Sequence, residues 1–218
     1  MSRRAASQGP QQGQPVFSAG KPLEQAQAVL LLIHGRGGTA QSILQLADEL
    51  HHADFAYLAP QAAGNTWYPH PFLAPIEQNE PWLSSGLNVM GELLRRVDAA
   101  GIPAERVIIA GFSQGACLGC EFVARNARRY GGLVVLSGGL IGPPGTTWAY
   151  PGSLDGAPVF LGCSNPDPHI PRERVEESVA ALQALGGAVT ARLYPDLGHT
   201  INQDELDHGR RMMRALVE

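Results

Sequence analysis

The chain has 218 residues, 44% of them apolar, 17% charged and 6% aromatic, enough apolar material for one globular domain with a buried core. Sixteen Lys and Arg against twenty Asp and Glu leave a formal charge of −4, which argues against a nucleic-acid footprint or a polybasic membrane anchor. No apolar run approaches the roughly 18 residues of a membrane-spanning helix, and the two arginines near the start are not followed by the apolar stretch of a secretory signal.

Residues 1–15 are rich in Gln, Gly, Ser and Pro and read as a mobile tail; residues 16–218 read as a single domain. Within it, Ala28–Ile33 is a continuous apolar run, as expected of a strand buried on both faces. Thr39 is placed to cap one helix carrying Ile43, Leu46, Ala47 and Leu50 on one face. Phe55–Ala59 is a second short strand, and a long loop containing WYPHPF follows it. Ser84 or Ser85 would cap a helix with Leu87, Met90, Leu94 and Val97 at helical spacing, stopped by Gly101 and Pro103.

Val107–Ala110 is the next strand, and a helix follows Ser113 to about Arg129. Leu133–Leu136 is again a buried strand, and a Gly/Pro-rich loop from Gly138 to Gly156 leads to strand Val159–Leu161. A helix over about Glu173–Leu185, a strand Val189–Tyr194 and a helix over about Asp204–Leu216 complete the pattern. Alternating strands and helices imply right-handed crossovers and a mostly parallel sheet with helices on both faces. Ligands of such sheets bind beyond the carboxyl ends of the strands, so the residues just after each strand are where chemistry is expected.

Gly111-Phe112-Ser113-Gln114-Gly115 is a G-x-S-x-G match with a buried strand before it and a helix after it, the context that a nucleophilic serine on a sharp turn requires. The glycines are there because the turn leaves little room for side chains two residues either side of the serine. A serine hydroxyl needs a base, and the base an orienting acid, here in the order Ser, acid, His. Of the downstream histidines, His199 lies directly after a strand, His208 falls inside the last helix, and His169 sits beside a candidate acid. His199 is therefore the expected base. Asp155 precedes a strand and lies at the wrong sheet edge. Asp196 is only three residues from His199 and stays a local alternative. Asp167, in a proline-bounded loop after a strand, is the favoured acid. Oxyanion donors are expected from the backbone N–H of Gln114 and from the His34–Gly38 loop, where Arg36 supplies the second N–H.

LLIHGRGG, WYPHPFLAPIEQNEPWLSSGL, IIAGFSQGA, DPHIP and YPDLGHTI, in this order and spacing, resemble the phospholipase/carboxylesterase family of α/β-hydrolases, which includes small bacterial carboxylesterases and acyl-protein thioesterases. The resemblance covers about residues 28–216 and is strongest with the bacterial esterase branch, through its WYP and DPHIP segments. It implies an α/β-hydrolase fold with no separate lid domain, a Ser113, Asp167, His199 triad and a cofactor-free ester hydrolase. Arg36, where the thioesterases often carry an apolar residue, and the acid loop CSNPD depart from the family pattern and bear on the substrate.

Trp67 and Tyr68 are candidate walls of an acyl pocket, as are Leu140 and Ile141, although each could equally pack its own loop. Cys117 reads as a small core residue rather than a second nucleophile. His51-His52-x-Asp54 lacks a further ligand, so no metal is expected there. The odd number of cysteines makes a disulfide framework unexpected and favours a reducing cytosol. The Gly138–Gly156 loop has no helical apolar period and cannot form an amphipathic lid. With the proline-stiffened WYPHPF loop it suggests a small open pocket and short acyl esters. The expected partner is a small ester, not nucleic acid or membrane, with a homodimer left open. Two other readings stand beside the esterase: a thioesterase or lysophospholipase on the same triad, and a non-catalytic homologue that only binds a ligand.

Overall fold

A computed structural model describes residues 9–218. Seven strands form one sheet: β1 (Val16–Gly20), β2 (Ala28–Ile33), β3 (Phe55–Pro60), β4 (Val107–Phe112), β5 (Gly132–Leu136), β6 (Pro158–Asn165) and β7 (Ala188–Pro195). Their spatial order is β1-β3-β2-β4-β5-β6-β7. β1 is antiparallel to β3, and every other pairing is parallel. The helices are α1 (Ala40–Leu44), α2 (Leu46–Glu49), α3 (Trp82–Ala99), α4 (Gln114–Arg125), α5 (Arg172–Ala184) and α6 (Gln203–Val217).

The continuous apolar runs are explained by burial on both faces. In β2, Val29, Leu31 and Ile33 pack with Met90, Leu94 and Leu118 of α3 and α4. The alternate residues Leu30 and Leu32 pack with Ile43 of α1 and Met213 of α6. Side chains alternate across a strand, so a strand between two helical layers has no polar side to show. This is an α/β-hydrolase fold, and no separate lid is inserted. Residues 139–156 run as loop and turn, interrupted only by an isolated bridge from Gly152 to Ala127.

The expected helix after Thr39 is divided. Thr39 does cap α1, in a reciprocal box with Ser42, but the chain breaks at Gln45 and restarts as α2. α3 begins at Trp82, before the expected serine caps, and Ser84 instead bonds the Glu80 carboxylate through its N–H and hydroxyl. α4 ends at Arg125 rather than Arg129, because Asn126 leaves helical geometry at ψ 45°. β1 is absent from the sequence reading: as a short, half-exposed edge strand it carries no continuous apolar run.

Residues 9–15 correct the expectation of a mobile tail over residues 1–15, whose first eight lie outside the described residues. Gln11 is buried. Its side-chain amide donates to the Thr66 and Trp67 carbonyls at 2.8 and 2.9 Å and accepts from Ala63 N–H at 2.8 Å. Its own N–H donates to Ser85 Oγ. Composition misled here because a single buried glutamine satisfies four backbone and hydroxyl groups at once.

Candidate active site

β4 delivers Ser113 onto a tight turn at φ 54°, ψ −121°, immediately before α4. An L-residue rarely adopts this geometry, and the surrounding packing must hold it. A Cβ on Gly111 would lie 2.5 Å from the backbone of Gly115, and one on Gly115 would collide with the Ile33 and His34 carbonyls. Both glycines of G-x-S-x-G are therefore required sterically.

His199, in the loop after β7, meets Ser113 Oγ through Nε2 at 2.8 Å and Asp167 Oδ2 through Nδ1 at 2.8 Å. Asp167 comes from the loop after β6. Its Oδ1 accepts the N–H groups of His169 and Ile170 at 2.8 and 3.0 Å. Burial alone would raise its pKa, but the His199 bond and these two N–H bonds outweigh burial and hold it below the usual carboxylate range. The structure thus brings Ser113, His199 and Asp167 into one hydrogen-bonded line. Asp196 is exposed, and His199 Nδ1 bonds Asp167 instead; the Asp196 N–H is engaged by the Asn165 carbonyl. Asp155 sits before β6 and offers its carbonyl to Arg129. His208 stacks on Phe160, and His169 stands edge-on to His199 with ring centroids 4.8 Å apart.

Ser164 was not singled out from the sequence. Its buried hydroxyl donates to the Pro166 carbonyl at 2.7 Å and accepts from Gly198 N–H at 2.9 Å, tying the acid loop to the histidine loop. Behind the histidine loop, Glu205 closes a capping box with Asn202 at the start of α6. Its Oε1 has no hydrogen-bond partner among the described residues, and burial raises its pKa to about 7.

The backbone N–H groups of Arg36 and Gln114 have no hydrogen-bond partner among the described residues. Both residues line the same cleft as Ser113. The loop that carries Arg36 is held by buried His34, whose Nε2 accepts from Ala62 N–H at 3.1 Å. Nδ1 therefore carries the proton toward the Gly35 carbonyl at 2.8 Å. Burial lowers the His34 pKa, and the Gly35 bond opposes that shift without reversing it. Trp67 Nε1 donates to the His34 carbonyl at 2.9 Å.

The cleft has a volume of about 800 Å³. It is not the small pocket that the sequence suggests. Tyr68 lines it together with Pro71, Phe72, Phe112, Ile170 and Ile201, and Cys117 contributes to its base. Trp67 and Leu140 do not, which corrects their expected role. Trp67 is fully buried because its indole braces the His34 loop from behind. Leu140 and Ile141 are fully buried as well; the Leu140 carbonyl is held by Arg174 and the Ile141 N–H by Glu121. Phe72, Phe112, Ile170 and Ile201 could not be selected from sequence, since their apolar type is equally that of core residues.

The sequence matches the family described as Phospholipase/Carboxylesterase over residues 16–216. Among solved structures, it is 43% identical to a phospholipase/carboxylesterase from Dyadobacter fermentans, with a TM-score of 0.89, covering 93% of this chain and 97% of that one. Among curated relatives, it is 28% identical to acyl-protein thioesterase 1 of Eremothecium gossypii, over 88% of this chain and 89% of the relative. It is 25% identical to a probable carboxylesterase of Arabidopsis thaliana, over 84% and 76% respectively. A serine on a strained strand–helix turn, faced by the loops after β6 and β7, is here joined to a sequence match across nearly the whole described chain, and the protein belongs to the phospholipase/carboxylesterase family.

Proposed function

We propose that the chain is a serine carboxylesterase acting through an acyl-enzyme. The observation that carries this reading is the unbroken line Ser113 Oγ, His199 and Asp167, with two 2.8 Å contacts, of which Ser113 and His199 line the cleft. His199 Nε2 takes the Ser113 proton as Oγ attacks the ester carbonyl, and returns it to the departing alcohol. Asp167 keeps the imidazole proton on Nδ1 and stabilises the imidazolium. The Arg36 and Gln114 N–H groups receive the developing oxyanion; one such donor is worth roughly 3 kcal/mol in the transition state. Water activated by the same histidine then releases the acid. No step calls for a cofactor.

Short acyl esters of about two to six carbons are the proposed substrates, because each methylene gains about 0.8 kcal/mol only while it is buried and no lid covers the cleft. The cleft's 800 Å³ gives one specific ground for a second reading, a bulkier thioester or lysophospholipid on the same triad. A fluorophosphonate probe should label the wild-type chain and not Ser113→Ala. Serine-independent labelling, or none, points instead to a homologue that only binds. On p-nitrophenyl esters, kcat/KM should peak at short chains with no rise at the micelle threshold; a steady increase to palmitate selects the second reading.

A further inference from the structure

Both residues assigned as oxyanion donors use their side chains on one backbone atom. The carbonyl oxygen of Tyr68 accepts from Arg36 Nη2 at 2.9 Å and from Gln114 Nε2 at 2.8 Å. The same guanidinium also takes the next two carbonyls, Pro69 through Nη1 at 3.0 Å and His70 through Nη2 at 2.9 Å. Gln114 Oε1 accepts the Trp67 N–H at 2.9 Å and the Thr66 hydroxyl at 3.2 Å. Arg36 follows β2 and Gln114 opens α4; the ladder between β2 and β4 reaches Ile33 and Gly111, three residues short of each donor. Beyond it, the Tyr68 carbonyl joins the two side chains.

We propose that Arg36 is a positioning residue: by locking three consecutive carbonyls of the 68–70 loop, its side chain sets the distance between its own N–H and that of Gln114, with the Tyr68 carbonyl as the common anchor. This rests on the esterase reading. A planar guanidinium spreads its donors across three successive carbonyls, whereas an ammonium offers its three from a single nitrogen. Because the guanidinium bonds loop carbonyls and not the backbone donors themselves, its loss leaves both donors present but badly spaced. A small misplacement of this kind costs up to about 100-fold in rate.

The test compares wild type with Arg36→Met, Arg36→Lys, Gln114→Met and the Arg36→Met/Gln114→Met double variant on p-nitrophenyl butyrate, with phenylboronic acid as a tetrahedral-adduct probe. Arg36→Met should lower kcat about 10- to 100-fold. KM should change less than about threefold, the boronate should bind more weakly by a similar factor as kcat, and the midpoint of the pH–rate profile should not move. Arg36→Lys should recover part of the loss. Since both side chains act through one carbonyl, the double variant should be far less impaired than the product of the two single losses. Independent, multiplicative losses overturn the proposal. So does an Arg36→Met enzyme with normal kcat and boronate affinity, or one whose defect lies wholly in KM. If Arg36→Met folds poorly, Arg36→Lys with the Gln114→Met cycle carries the same reading. Wild-type turnover that survives Ser113→Ala signals failure of the esterase assignment itself, whatever the Arg36 variants do.

Discussion

The two flanks of Ser113 are held in different ways. On the His199 flank, the residues proposed for catalysis hold one another: imidazole to hydroxyl, imidazole to carboxylate, carboxylate to two N–H groups. On the Arg36 flank, side chains grip the backbone carbonyls of the 66–70 loop and leave two N–H groups free to act. The first flank depends on side-chain identity at every joint. The second depends on where a loop runs, with identity important only at the donors.

Substitutions should separate the two. Removing a nucleophile or base ought to collapse turnover: Ser113→Ala and His199→Ala are each expected to lose between about 10³ and 10⁶ in kcat, with the double variant little worse, because the residues act as a unit. Steady-state kinetics on a chromogenic ester checks this, and additive losses would falsify the assignment. Asp167→Asn follows, at about 10³ to 10⁴ in kcat with the fold retained by circular dichroism. The exposed Asp196→Asn should stay within about twofold in the same assay; a crippled Asp196→Asn would move the acid to that residue.

Smaller effects test what lies behind the flanks. Folded protein holds the Glu205 proton more tightly than the unfolded chain, whose glutamates titrate near 4.3. The stability this gives is present in full below that range and is lost as pH rises through about 7. Glu205→Gln should therefore flatten the fall in denaturant stability between pH 5 and pH 8, a difference on the order of 3 kcal/mol. Parallel pH dependence in the two proteins contradicts it. Ser164→Ala crosses the comparison, since this residue of the His199 flank works on backbone groups alone. It should cost about 1–2 kcal/mol in urea unfolding through the orphaned Gly198 N–H, with a several-fold drop in kcat. Unchanged stability and rate would show that the two loops need no tie.

The same contrast explains what could be read from the sequence. Ser113, Asp167 and His199 were legible because the chemistry dictates residue type and the strand order dictates position. The parallel sheet was legible because doubly buried strands admit no polar face. Arg36 and Gln114 are expected from the sequence for their backbone N–H groups alone; their side-chain bonds stay hidden, since a carbonyl acceptor leaves no mark on the sequence. Trp67 and Leu140 were misplaced for a related reason: an apolar residue near a site looks the same whether it lines the cleft or braces the loop behind it. β1 and the division between α1 and α2 escaped because short, half-exposed elements have too few periodic positions to be recognised.

Gln11 gives the position of the domain's edge a mechanical meaning. The family match opens at residue 16, at the first strand. Yet Gln11 fastens Ala63, Thr66 and Trp67, and the last two are residues that Gln114 also grips. The segment that anchors the Arg36 and Gln114 side chains is thus pinned from both sides, by the helix that follows Ser113 and by a stretch of chain outside the boundary that homology would draw. A protein trimmed to that boundary would keep its sheet, the Ser113–His199–Asp167 line and every motif residue while losing one of the two fastenings of that segment. The unit that evolution repeats and the unit that bears the load do not begin at the same residue.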